Sequence, residues 1–182
     1  FGAEGVWVSV FTAISAFCNA GFDLFGRFGA YSSLVPYVNN YYVQAVIMFM
    51  IMAGGLGFMV WVELAEYRKK RRLSLHAKVV LQFSVIFWVG GAVLLALLEW
   101  SNPRTMGGLS VPGKIMAALF QSVSTRTAGM NTIDLAACSP ISKLLMSVLQ
   151  FIGAAPGSTG GGVKVTTFAV LILTIRSVAQ GC

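Results

Sequence analysis

The chain has 182 residues, of which 57% are hydrophobic and only 10% are charged, with a net charge of +7. Soluble domains are roughly a quarter charged, so this composition, with a mean hydropathy of +0.78, favours a membrane protein over a soluble domain. Five of the thirteen Lys and Arg residues form one run, 68–72, behind an apolar stretch, which is typical of a cytoplasmic membrane flank rather than a nucleic-acid-binding surface. The three cysteines are too scattered for a disulfide framework or a metal site.

The first half of the chain contains one short and one long apolar segment. Residues 6–17 are too short to cross about 30 Å of hydrocarbon, which favours a re-entrant helix. Residues 43–62 carry no charge and have the length of a membrane-spanning helix, as do residues 79–98. The basic segment 68–78 lies between these spans, and the positive-inside rule places it in the cytoplasm. We therefore expect a multi-pass protein embedded in the lipid bilayer of the cytoplasmic membrane.

The second half repeats the short helix and then interrupts a long one. Residues 112–125 form the short segment, with Pro112 suited to its first turn and Ser110 near its cap. The long apolar stretch 144–175 is interrupted within 153–162 by five glycines and a proline. This composition predicts two half-helices, 141–152 and 163–177, joined by irregular backbone at membrane depth. Such discontinuous helices are frequent sites of ion binding and gating.

A repeat relates the two short helices. Anchored on glycine, the segment SAFCNAGF at 15–22 aligns with VSTRTAGM at 123–130, and each follows a short helix and precedes a long one. The unit is a helix, a pore loop and a helix, which predicts an all-α membrane protein of potassium-channel-like fold with one discontinuous transmembrane helix. The predicted parts are 1–67, the end of one repeat; 68–78, a cytoplasmic basic linker; and 79–182, a complete repeat. The chain begins with Phe and shows no signal peptide, so we expect a segment of a longer protein.

The two Ala-Gly turns have the chemistry of a cation filter. Small residues with a glycine permit the extended and positive-φ backbone that aims carbonyl oxygens at a dehydrated cation. Both short helices are expected to run inward, so the negative ends of their dipoles favour a cation. One such turn alone is more typical of a helix C-cap, but two in the same topological place favour a filter. The predicted potassium filter comprises Cys18, Asn19, Ala20, Gly21, Arg126, Thr127, Ala128 and Gly129.

Other motifs are weaker. The segment GSTGGGVK at 157–164 is similar to a nucleotide-binding loop, but a Walker loop ends in Gly-Lys-Ser/Thr and follows a strand. Lys164 marks a functional position, because a charge near the bilayer midplane is costly; a lysine that snorkels to the interface is the alternative. Since no paired carboxylates and no histidine close to a Ser or Thr form a catalytic constellation, we expect no enzyme, no cofactor and no metal other than transported potassium.

Together the motifs resemble the Trk/Ktr/HKT superfamily of potassium transporters, most closely the membrane subunit of bacterial Ktr-type uptake systems. Cys18 stands where the family usually has Asn, and Met130 where Phe is usual. The resemblance covers nearly the whole chain and is carried by SAFCNAGF at 15–22, GGLGF at 54–58, LSLHAK at 73–78, FQSVSTRTAG at 120–129 with Asn131 and Thr132, and PGSTGGGVK at 156–164.

The resemblance implies four helix-loop-helix repeats around one pore, of which this chain holds the end of the second and all of the third. It places the filter glycines at Gly21 and Gly129 and an intramembrane gate loop within 153–162, on the cytoplasmic side of the filter. It also implies a homodimer, a cytoplasmic nucleotide-binding regulatory ring, and sodium as a candidate activator. The predicted gate residues are Gly157, Ser158, Thr159, Gly160, Gly161, Gly162 and Lys164.

The predicted function is potassium uptake across the cytoplasmic membrane. Two alternatives stay open. The first is a sodium-conducting or sodium-coupled relative, because filter selectivity can depend on a single glycine. The second is a non-transporting membrane scaffold that binds a cytoplasmic partner through residues 68–78.

Overall fold

The computed structural model describes residues 2–29 and 32–180, apart from the side chains of residues 27 and 28. Cys182, one of the three scattered cysteines, lies outside the described residues. Within them, an isolated parallel bridge between Ile152 and Val163 is the only strand-like pairing. Seven α-helices follow in chain order: α1 (Gly2–Phe17), α2 (Tyr41–Gly55), α3 (Phe58–Lys70), α4 (Leu75–Glu99), α5 (Val111–Thr125), α6 (Pro140–Phe151) and α7 (Val165–Ala179).

Side-chain caps begin four of these helices. Each capping oxygen accepts a hydrogen bond from the backbone N–H three residues later, which satisfies a donor that has no partner inside the helix. Pro112 and Pro140 lie in first turns, where a missing N–H costs nothing. The predicted cap at Ser110 is therefore confirmed. The four caps are Asn40 for α2, Ser74 for α4, Ser110 for α5 and Ser139 for α6.

The helices pack into two groups joined at α2 and α5. In the first, α1 packs against α2; in the second, α4 packs against α5, α6 and α7. A hydrophobic core lies where α1, α2 and α5 meet, and includes Ala16, Ile51 and Phe120. Because α1 and α5 both end beside this core, it fixes the loops that follow them.

The outer face of α4 is apolar. Ile86, Val89, Val93 and Leu97 follow helical spacing and are exposed by 60, 52, 52 and 74%. The outer face of a helix in a soluble protein would be polar. By length and composition α4 can cross a bilayer alone, and α2 with α3 can do so if the bent pair counts as one span; α1 and α7 are shorter apolar helices.

The prediction of one unbroken helix over 43–62 was wrong. The chain bends by 99° between α2 and α3, and Gly57 at the bend has a φ of +85°. The indole Nε1 of Trp61 donates a hydrogen bond of 2.8 Å to the Ala53 carbonyl, which satisfies an acceptor that the bend leaves without a helical partner. The uninterrupted apolar composition concealed the break, although the segment GGLG at 54–57 supplies the flexible backbone.

The basic segment 68–78 contains the end of α3, a short turn and the start of α4. Arg71 ends α3 in the left-handed conformation, with a φ of +47°. The Glu63 carboxylate accepts hydrogen bonds from the backbone N–H and the hydroxyl of Ser74, at 2.8 and 2.7 Å. These bonds connect α3 to the cap of α4 and close the hairpin.

The predicted break of the last long helix is confirmed. Its halves are α6 and α7, and residues 152–164 between them are irregular apart from the single bridge. We call residues 152–164 the glycine-rich loop.

Candidate functional site

The two predicted filter segments lie side by side. Segment 18–21 follows the end of α1, and segment 126–129 follows the end of α5. A Cβ atom on Gly21 would lie 2.0 Å from the carbonyl oxygen of Ala128, so only glycine fits this contact. Gly21 and Gly129 have φ values of +74° and +84°, in the left-handed region that favours glycine. The sequence repeat therefore corresponds to two glycine turns in direct contact.

The backbone polar groups of both segments are arranged asymmetrically. The N–H groups of Thr127, Ala128 and Gly129 all donate to the Ser124 carbonyl, at 3.3, 3.0 and 3.0 Å. In the first segment the N–H of Ala20 donates to the Ser15 carbonyl at 2.9 Å. By contrast, none of the carbonyl oxygens of residues 18–21 and 126–129 accepts a hydrogen bond from the described part of the chain. Unpaired carbonyls beside helix C-termini are suited to coordinating a cation.

The side chain of Asn19 links the two filter segments and the glycine-rich loop. That side chain is buried, and the backbone of Asn19 has a φ of +51°. The amide oxygen accepts a hydrogen bond of 3.2 Å from the Thr127 hydroxyl, and the amide nitrogen donates one of 3.0 Å to the Thr159 hydroxyl. Cys18 and Ala20 on either side are exposed.

The predicted gate residues lie in the glycine-rich loop directly beside the filter segments. A Cβ atom on Gly160 would lie 2.8 Å from the Thr127 hydroxyl oxygen and 2.5 Å from the Ala154 Cβ atom. The Thr159 hydroxyl donates a hydrogen bond of 2.9 Å to the carbonyl of Phe17, the last residue of α1. The loop is thus seated against both filter segments.

Internal hydrogen bonds give the glycine-rich loop its shape. The Gly153 N–H donates to the Val163 carbonyl at 2.9 Å, and the Ala154 N–H donates to the Gly161 carbonyl at 3.3 Å. Ser158 donates its hydroxyl to the Ala155 carbonyl at 2.5 Å. Gly157 and Gly162 adopt positive φ values, of +67° and +74°.

Lys164 is half-buried where the glycine-rich loop joins α7. Its ammonium group donates a hydrogen bond of 2.6 Å to the Gly160 carbonyl. The Lys164 ammonium group therefore binds within the glycine-rich loop, to Gly160, the residue that lies against Thr127.

The side chain of Arg126 makes contacts that the sequence did not indicate. The residue was predicted as a filter residue through its backbone, but its buried guanidinium donates a hydrogen bond of 2.7 Å to the Gly153 carbonyl. Its Cζ atom also lies 5.3 and 5.9 Å from the ring centroids of Phe87 and Trp88 on α4. Arg126 thus connects the second filter segment to the start of the glycine-rich loop, a contact between residues too distant in sequence for any local pattern to predict.

The bend between α2 and α3 forms the other wall of the glycine-rich loop. The N–H groups of Ala155 and Thr159 donate to the carbonyls of Gly55 and Gly54, at 3.0 and 3.3 Å, and the Phe58 N–H donates to the Gly157 carbonyl at 3.1 Å. Sequence reasoning missed this role because it placed 54–57 inside a straight helix.

Glu99 is a second residue that the sequence did not single out. It is fully buried at the end of α4, and its carboxylate accepts four hydrogen bonds. Their donors are the Asn102 amide at 2.7 Å, the Thr105 hydroxyl at 2.7 Å, the Ser139 N–H at 2.9 Å and the Ser142 hydroxyl at 2.5 Å. Because these donors saturate it, the carboxylate joins α4 to the start of α6 rather than offering a cation site.

The described residues contain no group of three or more His, Cys, Asp or Glu side chains that could hold a metal ion. The candidate cation ligands are the backbone carbonyls of residues 18–21 and 126–129, which have no hydrogen-bond donor among the described residues.

The chain is similar to known cation transport proteins. Residues 2–181 match the family model described as TrkH, cation transport protein. The chain is 37% identical over 179 residues to the potassium/sodium uptake protein NtpJ of Enterococcus hirae, covering 98% of this chain and 38% of that protein. It is 42% identical over 171 residues to the Ktr system potassium uptake protein B of Vibrio alginolyticus, covering 93% of this chain and 36% of that protein.

The fold comparison gives the same result. The crystal structure of the potassium transporter TrkH from Vibrio parahaemolyticus matches 91% of this chain and 33% of that chain, with a TM-score of 0.68 and 23% identity. At that identity the match concerns the fold alone, and it confirms the predicted all-α architecture. The chain spans less than two fifths of the length of these relatives. The family is one of membrane transport proteins, which confirms that the chain is not from an enzyme family. This chain belongs to the TrkH family of cation transport proteins.

Proposed function

We propose that this chain supplies two of the four filter loops of a potassium uptake protein, together with the loop that gates them. The observation that carries the proposal is the contact between two glycine turns whose carbonyl oxygens, at 18–21 and 126–129, have no hydrogen-bond donor among the described residues. Backbone carbonyls that replace a hydration shell are the known device of potassium filters.

In this proposal potassium sheds water at the carbonyls of the two segments. The last carbonyls of α1 and α5 carry the negative ends of the helix dipoles, which stabilise a cation beside them. Inward movement is driven by the membrane potential, which supplies about 2.3 kcal/mol per charge for each 100 mV. Potassium is the transported ion, with sodium as a candidate activator and no bound cofactor.

The glycine-rich loop acts as the gate, with residues 157–162 and Lys164 as its working part. The contacts of Thr159 with Asn19 and of Gly160 with Thr127 support a closed position directly beside the ion path. Irregular backbone at membrane depth is tolerated where it is buried in protein or lines water, and residues 152–155 and 160 of this loop are buried.

The chain crosses the cytoplasmic membrane more than once, with 68–78 on the cytoplasmic side. The density of Arg and Lys in that segment supports this orientation through the positive-inside rule. In that orientation α1 and α5 enter from the outer face, as the dipole argument requires.

A potassium filter in which carbonyls coordinate the ion around one axis uses four loops, and this chain has two. We propose that a longer protein supplies the other two. An apolar groove of about 630 Å³ between α1 and α2, lined by Val6, Val10, Val46 and Met50, supports cover by further helices. From the family resemblance we propose a homodimer whose gate is controlled by a cytoplasmic nucleotide-binding ring.

A sodium-conducting or sodium-coupled protein is the second candidate. It is favoured by the name of the Enterococcus hirae relative, a potassium/sodium uptake protein. The other alternative, a non-transporting membrane scaffold, leaves the paired filter segments without a role. Ion replacement in flux assays separates the two transport candidates.

The proposal is tested by Gly129→Ser in the full-length protein. A Cβ at this position meets no atom within 4 Å, so the change acts through the φ of +84° rather than through a clash. A non-glycine residue in that conformation costs about 1–2 kcal/mol, so we expect the turn to leave its present geometry and the potassium over sodium selectivity to fall.

The matched control is Gly90→Ser on α4, where a Cβ also meets no atom within 4 Å and φ lies outside the positive range. We expect it to leave selectivity unchanged. Unchanged selectivity in Gly129→Ser would show that the filter is elsewhere.

A further inference from the structure

The Asn19 side chain contacts four parts of the chain: the glycine-rich loop, the end of α1, α2 and the second filter segment. Its amide nitrogen lies 3.0 Å from the Thr159 hydroxyl in the glycine-rich loop, and 3.4 Å from the carbonyls of Phe17 and Ile51. Its amide oxygen accepts a hydrogen bond from Thr127 in the other filter segment. One buried amide thus contacts the end of α1, both filter segments and the gate.

Thr159 is the gate's side of this contact. Its hydroxyl accepts from Asn19 and donates to the Phe17 carbonyl at 2.9 Å, while its N–H donates to the Gly54 carbonyl at 3.3 Å. Each of these hydrogen bonds joins the glycine-rich loop to another segment. Any movement that withdraws the loop from the filter must break them.

Withdrawal of the loop changes the surroundings of the filter. The Asn19 nitrogen keeps only its two 3.4 Å contacts, and the Phe17 carbonyl loses the Thr159 hydroxyl. Both groups then keep only long contacts of 3.4 Å, which favours a conformation that restores a shorter hydrogen bond. Because the same amide also holds Thr127, the change reaches both filter segments.

We propose that Asn19 is a positioning residue that couples the gate to the filter, with Thr159 as its partner. The docked loop holds the two filter segments in their present register, and ion selectivity changes when the hydrogen bond between Asn19 and Thr159 is broken. Coupling of this kind is reciprocal, so ion occupancy of the filter also biases the loop. This proposal rests on the proposed function and adds a role for a side chain whose predicted contribution was its backbone carbonyl.

The test uses Thr159→Val in the full-length protein, reconstituted in vesicles, with two readouts. The first is potassium leak under conditions that close the wild-type protein, and the second is the potassium over sodium selectivity of the flux. Valine removes two hydrogen bonds, the one from the Asn19 amide and the one to the Phe17 carbonyl, and each contributes about a fivefold change in an equilibrium. We expect up to about 25-fold more leak, because both bonds hold the docked loop, and about a fivefold shift in selectivity, because only the bond to Asn19 reaches Thr127. Thr159→Ser keeps the hydroxyl and should leave both readouts near the wild-type values.

Two further variants separate coupling from a structural role. Ser158→Ala removes a hydrogen bond that lies wholly inside the glycine-rich loop, to the Ala155 carbonyl, so it changes leak without changing selectivity. Asn19→Gly accommodates the φ of +51° and removes the amide. Thr159→Val added to Asn19→Gly then produces no further change in selectivity, because the partner is already absent.

The outcomes are distinguishable. A Thr159→Val variant that changes leak alone, or whose effect on selectivity adds to that of Asn19→Gly, overturns the coupling and leaves the filter proposal intact. Absence of potassium-selective flux from the wild-type protein overturns the proposed function and the coupling with it.

Discussion

The fit of Gly160 against the filter gives the sharpest prediction about the gate. A methyl group at this position would lie 2.5 Å from the Ala154 Cβ atom and 2.8 Å from the Thr127 hydroxyl oxygen. Carbon atoms in contact are about 3.5–4.0 Å apart, so the Gly160→Ala loop cannot occupy its docked position without displacement. The next residue, Gly161, offers a matched control, since a Cβ there meets no atom within 4 Å.

The size of the effect follows from the cost of overpacking. Inserting a methyl group into a filled site costs about 1–3 kcal/mol. If that cost falls on the docked loop, the ratio of docked to withdrawn loop decreases about five- to 150-fold, because each 1.4 kcal/mol is a factor of ten. The methyl group of Gly161→Ala enters open space and changes the ratio by less than twofold.

The measurement is uptake of radioactive rubidium, as a stand-in for potassium, into vesicles that contain the full-length protein. Under conditions that close the wild-type protein, Gly160→Ala should leak and Gly161→Ala should not. Equal leak from both variants, or wild-type tightness in Gly160→Ala, would refute the docked position of the loop as the closed gate.

Three further predictions concern buried groups. Arg126→Gln leaves the Gly153 carbonyl without its charged donor and should cost about 1–3 kcal/mol of stability, measured as a lower unfolding temperature in detergent. Arg126→Lys should not restore the stability, because lysine lacks the planar group that lies over two aromatic rings. Glu99→Ala leaves four donors without an acceptor and should cost at least about 3 kcal/mol in the same assay, against which an unchanged melting temperature would count. Burial raises the pKa of the Cys138 thiol to about 11, so at pH 8 only about one molecule in a thousand carries the reactive thiolate. A maleimide should therefore label Cys138 slowly in the folded protein and fast after denaturation. Equal labelling rates would contradict the burial of Cys138.

Local sequence signals were sufficient for most of the helices. Helix α5 begins at a Ser-Val-Pro segment and α6 at Ser-Pro, and both starts combine a capping hydroxyl with a proline in the first turn. The break between α6 and α7 was predictable because five glycines and a proline stand together.

The bend after α2 was not predictable in the same way. The segment 54–57 has three glycines, but apolar residues continue on both sides, and composition alone allows one helix. The bend is fixed by contacts with residues about a hundred positions away, such as the hydrogen bond from the Phe58 N–H to the Gly157 carbonyl. Tertiary contacts of this kind leave no periodic signal.

The candidate site likewise has parts that the sequence predicts and parts that depend on tertiary contacts. Aligning two copies of one pattern located two glycines that both adopt a positive φ, Gly21 and Gly129, in the predicted filter segments. The side chains that hold the segments could not be found so, because Asn19 corresponds to Thr127 in the repeat, and the two bond to each other rather than perform the same role. Arg126 and Glu99 likewise act through contacts that only the folded chain creates.

The central claim is that the carbonyl oxygens of 18–21 and 126–129 bind the transported ion. The most direct measurement is anomalous diffraction from crystals of the full-length protein soaked in thallium, a heavy stand-in for potassium. We expect an anomalous peak within coordination distance of the carbonyls beside Gly21 and Gly129, and we expect Gly129→Ser to abolish it. A peak elsewhere in the protein, or one that persists in that variant, would contradict the central claim.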